Sequence, residues 1–336
     1  MGSKTVKTIE DIARLANVSK STVSRALSDS PLINKETRER IQAIAREHDF
    51  CINTPARNLS MRQSNTIAFV THAHFDGSPV QDLFGLEIMG SIGSELHALG
   101  YDMLVIHIHP HDDKWAHQYL NSGRVDGFIL MKTLRKPSYF SALVETGAPF
   151  IIWGIPGPDL NCCSVTGDNA TGGQLATEHL IRSGRKQIAF LGGPGYDLEA
   201  EQRLRGYENA LKAAGRSPDP SLQTSGDYSH VSGVNGMRRL LETAPDLDAV
   251  FVTGDLMAIG AIDALQQNGR RVPEDVAVVG YDDLTIAAYN NLPLTTIRQN
   301  VGMSGKLLAQ NLVQFIKTGV VTHVTIPVEL VVRKSA

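Results

Sequence analysis

Nowhere in the 336 residues is there an apolar run of membrane length, and no charged-then-apolar leader opens the chain. A spanning helix and an exported protein are therefore not expected, and the expected location is the cytoplasm. Cysteine is scarce, three residues in all, which excludes a disulfide scaffold and suits a reducing compartment. The neighbours Cys162 and Cys163 lack any metal-ligand spacing and read as packing groups. Gly192-Gly-Pro-Gly195 follows a strand pattern, yet it is neither a dinucleotide fingerprint nor a phosphate loop with its Lys-Ser or Lys-Thr pair. No cofactor, metal or catalytic residue is expected. Net charge is also low, −3 overall, but the average conceals an asymmetry: residues 1–62 carry +4 and the remainder −7. A basic head contributes counterion release on DNA, and an acidic body limits indiscriminate adhesion.

The head is the most specific feature. In TIEDIARLANVSKSTVSRALS, residues 8–28, Thr8 can cap a first helix with Asp11 reaching back. Ile12 and Leu15 supply an apolar stripe, and Ala13 and Ala16 let a second helix approach closely. Ala16-Asn17-Val18 makes the turn, Asn tolerating a left-handed backbone, and Ser19 caps the second helix. Val23 and Leu27 point back at the first helix, leaving Lys20, Ser21, Thr22, Ser24 and Arg25 outside. Short hydroxyls mixed with cations suit base edges and phosphates. With the helix-start residues Thr8, Ser19 and Asn34 they form the candidate DNA-contacting set. A third helix opened by Asn34 and carried by Ile41, Ile44 and Ala45 completes a three-helix unit, which favours a helix-turn-helix over a solvated hairpin.

Beyond residue 63 the pattern changes. TIAFV, DMLVIHI, DGFILM and PFIIW, then QIAFLG, DAVFVT and DVAVVG, are short β-branched runs ended by Gly, Pro or polar residues. They predict buried parallel strands in βαβ units, in two series of similar size, hence an α/β fold of two doubly wound lobes. Ligands of such sheets bind beyond the carboxyl ends of the strands, so two facing lobes make a cleft there. Arg203, Asp255 and Asp282 follow strands of the second series. A guanidinium fork and carboxylates suit the adjacent hydroxyls of a sugar, and Phe84, Trp153 and Tyr228 are candidates to cover its C–H face. Asp255 has a second reading, as the cap of a helix beginning at Leu256.

The head motif, followed by Asn53-Thr-Pro-Ala-Arg-Asn-Leu-Ser, resembles the lactose-repressor (LacI/GalR) family of bacterial transcription regulators, over essentially the whole chain. The resemblance implies a domain order of a helix-turn-helix head over 1–52, a hinge over 53–63 and an effector-binding and dimerisation body over 64–336. The body's lobes would comprise 64–165 with 299–324, and 166–298 with 325–336, in the manner of periplasmic binding proteins. It also implies that Lys20 and Ser21 read bases, that Arg25 contacts DNA, and that Ala56 and Leu59 fall in the hinge. Leu59 would wedge into the minor groove, kinking the duplex at a cost that wider contact offsets. Arg203 and Asp282 would contact the effector, Tyr228 would stack on it, and Gln299 would line the crossover. Two departures stand out: Gly154 replaces an Asp common in relatives, and Gly254 an Asn or Ser. The implied protein is a repressor controlled by a small carbohydrate. It would act as a homodimer on a pseudo-palindromic double-stranded operator, since one head reads only a half-site. The end at Val331-Val-Arg-Lys-Ser-Ala offers no heptad zipper for a tetramer.

Two other readings stay open on residues alone. HAHFDG (72–77) and HIHPHDD (107–113) carry the HxH spacing of a zinc hydrolase, although no further ligand cluster follows. His72 could equally line the cleft as a hydrogen-bonding group. A sugar-binding module without a regulatory role would share the cleft but need neither head nor hinge.

Overall fold

The structure is a computed structural model describing residues 8–50, 63–72, 82–108, 112, 114–131, 137–157 and 160–336. The chain divides into two compact units, Met1–Ser64 and Asn65–Ala336.

In the first unit, α1 (Ile9–Ala16), α2 (Lys20–Leu27) and α3 (Lys35–Glu47) surround a small core of Ile12, Ala13, Ala16, Val23, Ala26, Ile41 and Ala45. All three helix starts use the side chains the sequence indicates. Thr8 and Asp11 form a reciprocal capping box, Ser19 accepts from the Thr22 amide, and Asn34 accepts from the Thr37 amide. Asn17 stops α1 in the left-handed region at φ 52°. Leu15 departs from expectation: it is 49% exposed, because Ile12, Ala13 and Ala16 already occupy the stripe facing α2 and α3.

Among the described residues, the second unit holds two six-stranded sheets. The N-lobe contains β1 (Thr66–His72), α4 (Leu83–Ala98), β2 (Asp102–Ile108), α5 (Trp115–Asn121), β3 (Gly127–Met131), α6 (Pro137–Thr146), β4 (Phe150–Trp153) and β5 (Cys163–Gly167). The C-lobe follows with α7 (Asn169–Arg182), β6 (Ile188–Gly192), α8 (Leu198–Ala213), β7 (Gln223–Ser225), α9 (His230–Thr243), β8 (Ala249–Val252), α10 (Asp255–Gln267), β9 (Ala277–Asp282), α11 (Thr285–Tyr289) and β10 (Thr295–Arg298). The chain then returns through α12 (Val301–Thr318) and β11 (His323–Ile326) to the first sheet, and ends in β12 (Glu329–Val331) on the second. The orders are β11-β5-β4-β3-β1-β2 and β12-β10-β9-β8-β6-β7, all pairs parallel except β10 with β12. The first sheet keeps its strands through Gly167 and Ile326, slightly past the lobe limits of 165 and 324 implied by the resemblance.

Burial explains why the strands read as continuous apolar runs. Ile67 and Phe69 of β1 face the α4 and α12 layer with Ile88, Ile92, Leu308 and Leu312, while Ala68 and Val70 face Trp115, Phe140 and Leu143 on the opposite side. Both faces of a doubly wound sheet are covered, so alternation disappears. Cys162 and Cys163 are buried in these two layers, one in each.

Candidate functional site

The C-lobe side of the cleft is built by close helix packing. A methyl on Gly173 of α7 would collide with the Arg203 carbonyl, and one on Gly206 of α8 with the Ala170 carbonyl. Only glycine lets α7 and α8 approach this closely, and the approach fixes where α8 presents Arg203. The Arg203 side chain is 1% exposed. Its Nε donates to Asn169 Oδ1 at 2.8 Å, its Nη1 to the Thr253 carbonyl at 2.7 Å, and its guanidinium lies 3.7 Å from the Tyr281 ring centroid. Burial works against the charge, but Tyr281, Tyr228, Asp282 and Asp197 outweigh it and hold the guanidinium above its ordinary value.

Tyr228 and Asp282 stand beside it in unusual backbone geometry, φ 70° and φ 116°, and Asp283 follows at φ 56°. Such conformations cost about 1–3 kcal/mol each and persist where surrounding structure imposes them, typically at binding sites. The Tyr228 hydroxyl donates to Asp197 Oδ2 at 2.6 Å. Burial first, with Asp197 adding to it, raises the phenol pKa against the opposing pull of Arg203. Asp282 Oδ1 accepts from Gln299 Nε2 at 2.7 Å, and Gln299 is 4% exposed. A β-carbon at Gly254 would lie 3.1 Å from Tyr228 Cδ1, tighter than ordinary contact, and 3.9 Å from Asp282 Oδ2, so glycine here lets the Tyr228 ring pack close against the backbone.

Asp255 is not the helix cap considered from sequence. Helix α10 starts at Asp255 itself with Gly254 as its N-cap, and the carboxylate turns inward. Its Oδ2 accepts from the Leu284 amide at 2.8 Å and its Oδ1 from Thr296 Oγ1 at 2.6 Å, at 0% exposure. It thereby pins the strained turn that carries Asp282. On the N-lobe side, Phe84 and Trp153 stack on each other, ring centroids 5.2 Å apart, within a core that also takes in Leu284. Both are buried, so they form the wall beneath the cleft. His72 ends β1, but its side chain lies outside the described residues, as do Ala56, Leu59, His74, His109 and His111. Among the described residues no three His, Cys, Asp or Glu side chains gather at metal-binding range, and no helix is long and apolar enough to cross a membrane.

Two acids were missed by sequence reasoning. Asp197 caps α8, its Oδ1 accepting from Glu199 and Ala200 amides, while its Oδ2 takes the Tyr228 hydroxyl. Glu199, 2% exposed, reaches the Ile155 amide of the N-lobe at 2.6 Å. Both look from sequence like ordinary helix-start acids; the one available signal was that this helix follows a strand end and leads to Arg203. Separately, a cavity of about 440 Å³ opens where Ile155 and Pro156 face Ser164, His323, Gln202 and Arg205, and it includes none of the cleft residues chosen from sequence.

On the head, Lys20, Ser21 and Arg25 are exposed, and Thr22 and Ser24 are half-buried. Lys20 pairs with Glu10 at the surface, which leaves it available to exchange that partner for a phosphate. Thr8, Ser19 and Asn34 spend their side-chain oxygens on capping.

A three-helix reader and a two-lobed, polar-lined cleft define a ligand-responsive DNA-binding regulator. Comparison with known proteins gives the family. Residues 8–53 match the profile described as bacterial regulatory proteins, lacI family, and residues 177–336 that of the periplasmic binding protein-like domain. The HTH-type transcriptional regulator CelR of Thermobifida fusca is 37% identical over 327 residues, 96% of this chain and 95% of that one. A structure of the CelR–cellobiose complex superposes with TM-score 0.76 at 34% identity, covering 98% and 99% of the two chains. The lac repressor dimer bound to operator and the anti-inducer ONPF superposes with TM-score 0.81 at 29% identity, covering 98% of each. The chain belongs to the lacI family of bacterial regulatory proteins, and is a transcription regulator rather than an enzyme.

Proposed function

We propose that this protein is a repressor whose grip on a pseudo-palindromic operator is controlled by a small, neutral carbohydrate held at Arg203, Tyr228, Asp282 and Gln299. The observation that carries the reading is the constellation itself: a dry guanidinium with a strained Tyr and a strained Asp beside it, the Tyr ring packed close on Gly254. Adjacent sugar hydroxyls can donate to Asp282 and accept from Gln299 or Arg203, and the Tyr228 ring offers a face to C–H surface. CelR is described in complex with cellobiose, which makes β-linked disaccharides the first class to test.

In this reading the protein works in the cytoplasm, attached to the nucleoid through its operator. Two protomers pair so that Lys20, Ser21 and Arg25 of each read one half-site, with Leu59 from the hinge wedged at the centre. Effector and operator are coupled only if the effector binds two global states unequally, typically by about 1–3 kcal/mol. The test is a thermal-shift series with cellobiose, other disaccharides and monosaccharides, followed by operator titration with each hit. The expected result is a hit among disaccharides that changes operator affinity by about tenfold. Sugar binding with no effect on DNA would instead favour a binding module without a regulatory role.

A further inference from the structure

Glu199 sits in the first turn of α8, one turn ahead of Arg203, and its carboxylate crosses from the C-lobe to the N-lobe. There it meets the backbone amide of Ile155, in the segment that leaves β4, at 2.6 Å. The donor is aimed by its neighbours: Gly154, at φ 131°, turns the chain while its own amide donates to the Val165 carbonyl at 2.8 Å. Burying a carboxylate is costly unless hydrogen bonds compensate, and Glu199 is 2% exposed, so separating the lobes would strip a donor from a group still shielded by α8. A second crossing runs the other way. Glu87 of α4 accepts from the Thr285 amide of α11 at 2.9 Å, next to Leu284, which is packed in the N-lobe core. That contact is exposed to water and correspondingly weak, so the buried one dominates.

We propose that Glu199 is a positioning residue for effector binding: its bond to Ile155 latches the two lobes at the spacing in which Arg203, Asp282 and the N-lobe wall face one ligand. The proposal rests on reading this cleft as the effector site. A preassembled cleft binds more tightly because the fraction of molecules already competent is larger. Glu199 thus raises effector affinity through lobe spacing, independently of the hydroxyl contacts that select the sugar.

Two variants separate the latch from bulk packing. Glu199→Met fills a similar volume without an acceptor, whereas Glu199→Gln keeps an oxygen that can accept from Ile155. The first measurement needs no ligand: amide hydrogen exchange on the full-length protein, resolved at Ile155, whose following residue Pro156 has no amide hydrogen. Ile155 should exchange at least about tenfold faster in Glu199→Met, the worth of one charge-assisted hydrogen bond, with Glu199→Gln closer to the parent. Amides within β4 should keep their parental rates in both. The second measurement is cellobiose affinity by calorimetry, expected to weaken in the same order. Parental exchange at Ile155 in Glu199→Met overturns the latch, as does fast exchange with unchanged cellobiose affinity. A parent that binds no sugar overturns the reading of the cleft, and the exchange result then still decides the latch.

Discussion

Arg203 shows what a single residue does when its surroundings are dry. The sequence supports it as a cleft residue because a guanidinium after a strand of the second series suits polyols, but not the depth at which it is held. With Asn169, the Thr253 carbonyl and the Tyr281 ring as partners, it belongs to the framework as well as to the pocket. On the proposed reading of the cleft, Arg203→Ala should abolish the response to any sugar the parent binds; it should also cost the body about 2–5 kcal/mol, since two buried acceptors lose their donor and a cavity opens. Calorimetry and operator titration together check this: operator affinity at low temperature should stay parental, and a parental response to the sugar would remove Arg203 from the site. Asp255 makes a pH prediction. Burial, with Asp282 next, raises its pKa well above the usual carboxylate range, against the bonds from Thr296 and Leu284. A carboxyl whose pKa is higher folded than unfolded favours folding below the unfolded value, and that contribution is lost as pH rises through the folded one. Asp255→Asn, neutral throughout, escapes the loss. Its melting temperature should gain on the parent's as pH goes from about 4 to about 8, and parallel curves would refute the raised pKa. Asp197 and Glu199 were not legible because a helix-start acid is explained locally by capping; only the fold brings Tyr228 and Ile155 to them.

At the scale of elements, legibility followed burial. GFILM and FIIW read as strands because both sheet faces are covered there and the runs are fully buried, whereas DMLVIHI, at the sheet edge, keeps Asp102 and His107 exposed and reads as a strand from its central apolar residues. Short strands such as β7, β11 and β12 carry too few apolar residues to stand out; His323–Ile326 is half exposed, and only the pairing with β5 makes it a strand. The helix caps were legible because their chemistry is local, and in the head that chemistry divides the candidate DNA-contacting residues into two kinds. Ser19 caps α2, so Ser19→Ala should lower the stability of the head by about 1 kcal/mol. Lys20 is 60% exposed in its side chain and holds only a surface pair with Glu10. Lys20→Ala should leave thermal stability within about 0.5 kcal/mol and weaken operator binding, with a salt slope smaller by about 1. Melting curves and operator titrations over a salt series would show the division; a destabilised Lys20→Ala with an unchanged slope would assign that side chain to the fold instead.

The whole molecule combines a head and hinge, residues 1–62, of charge +4 with a body of charge −7, and this asymmetry bears on the assembly. One head of three short helices, with two exposed cations on its outer helix, can neutralise only a few phosphates. Two heads on one duplex double the count, and the logarithm of affinity against the logarithm of salt should steepen in proportion. The acidic bodies resist non-specific contact with the same DNA, so the slope should report the heads alone. If the protein acts as a homodimer, a palindromic operator and its isolated half-site should differ by about twofold in salt slope, and sedimentation of the saturated complex should give two chains per duplex. The wedge proposed for Leu59 belongs to the same scale, because a wedge at the dyad would act only when both heads are seated. Leu59→Ala should therefore weaken binding to the full operator by more than binding to the half-site, with the melting temperature of the body unchanged. Equal slopes on the two duplexes, or equal losses from Leu59→Ala, would mean that each head binds alone, and the lobes could not then control the operator by changing how two heads are spaced.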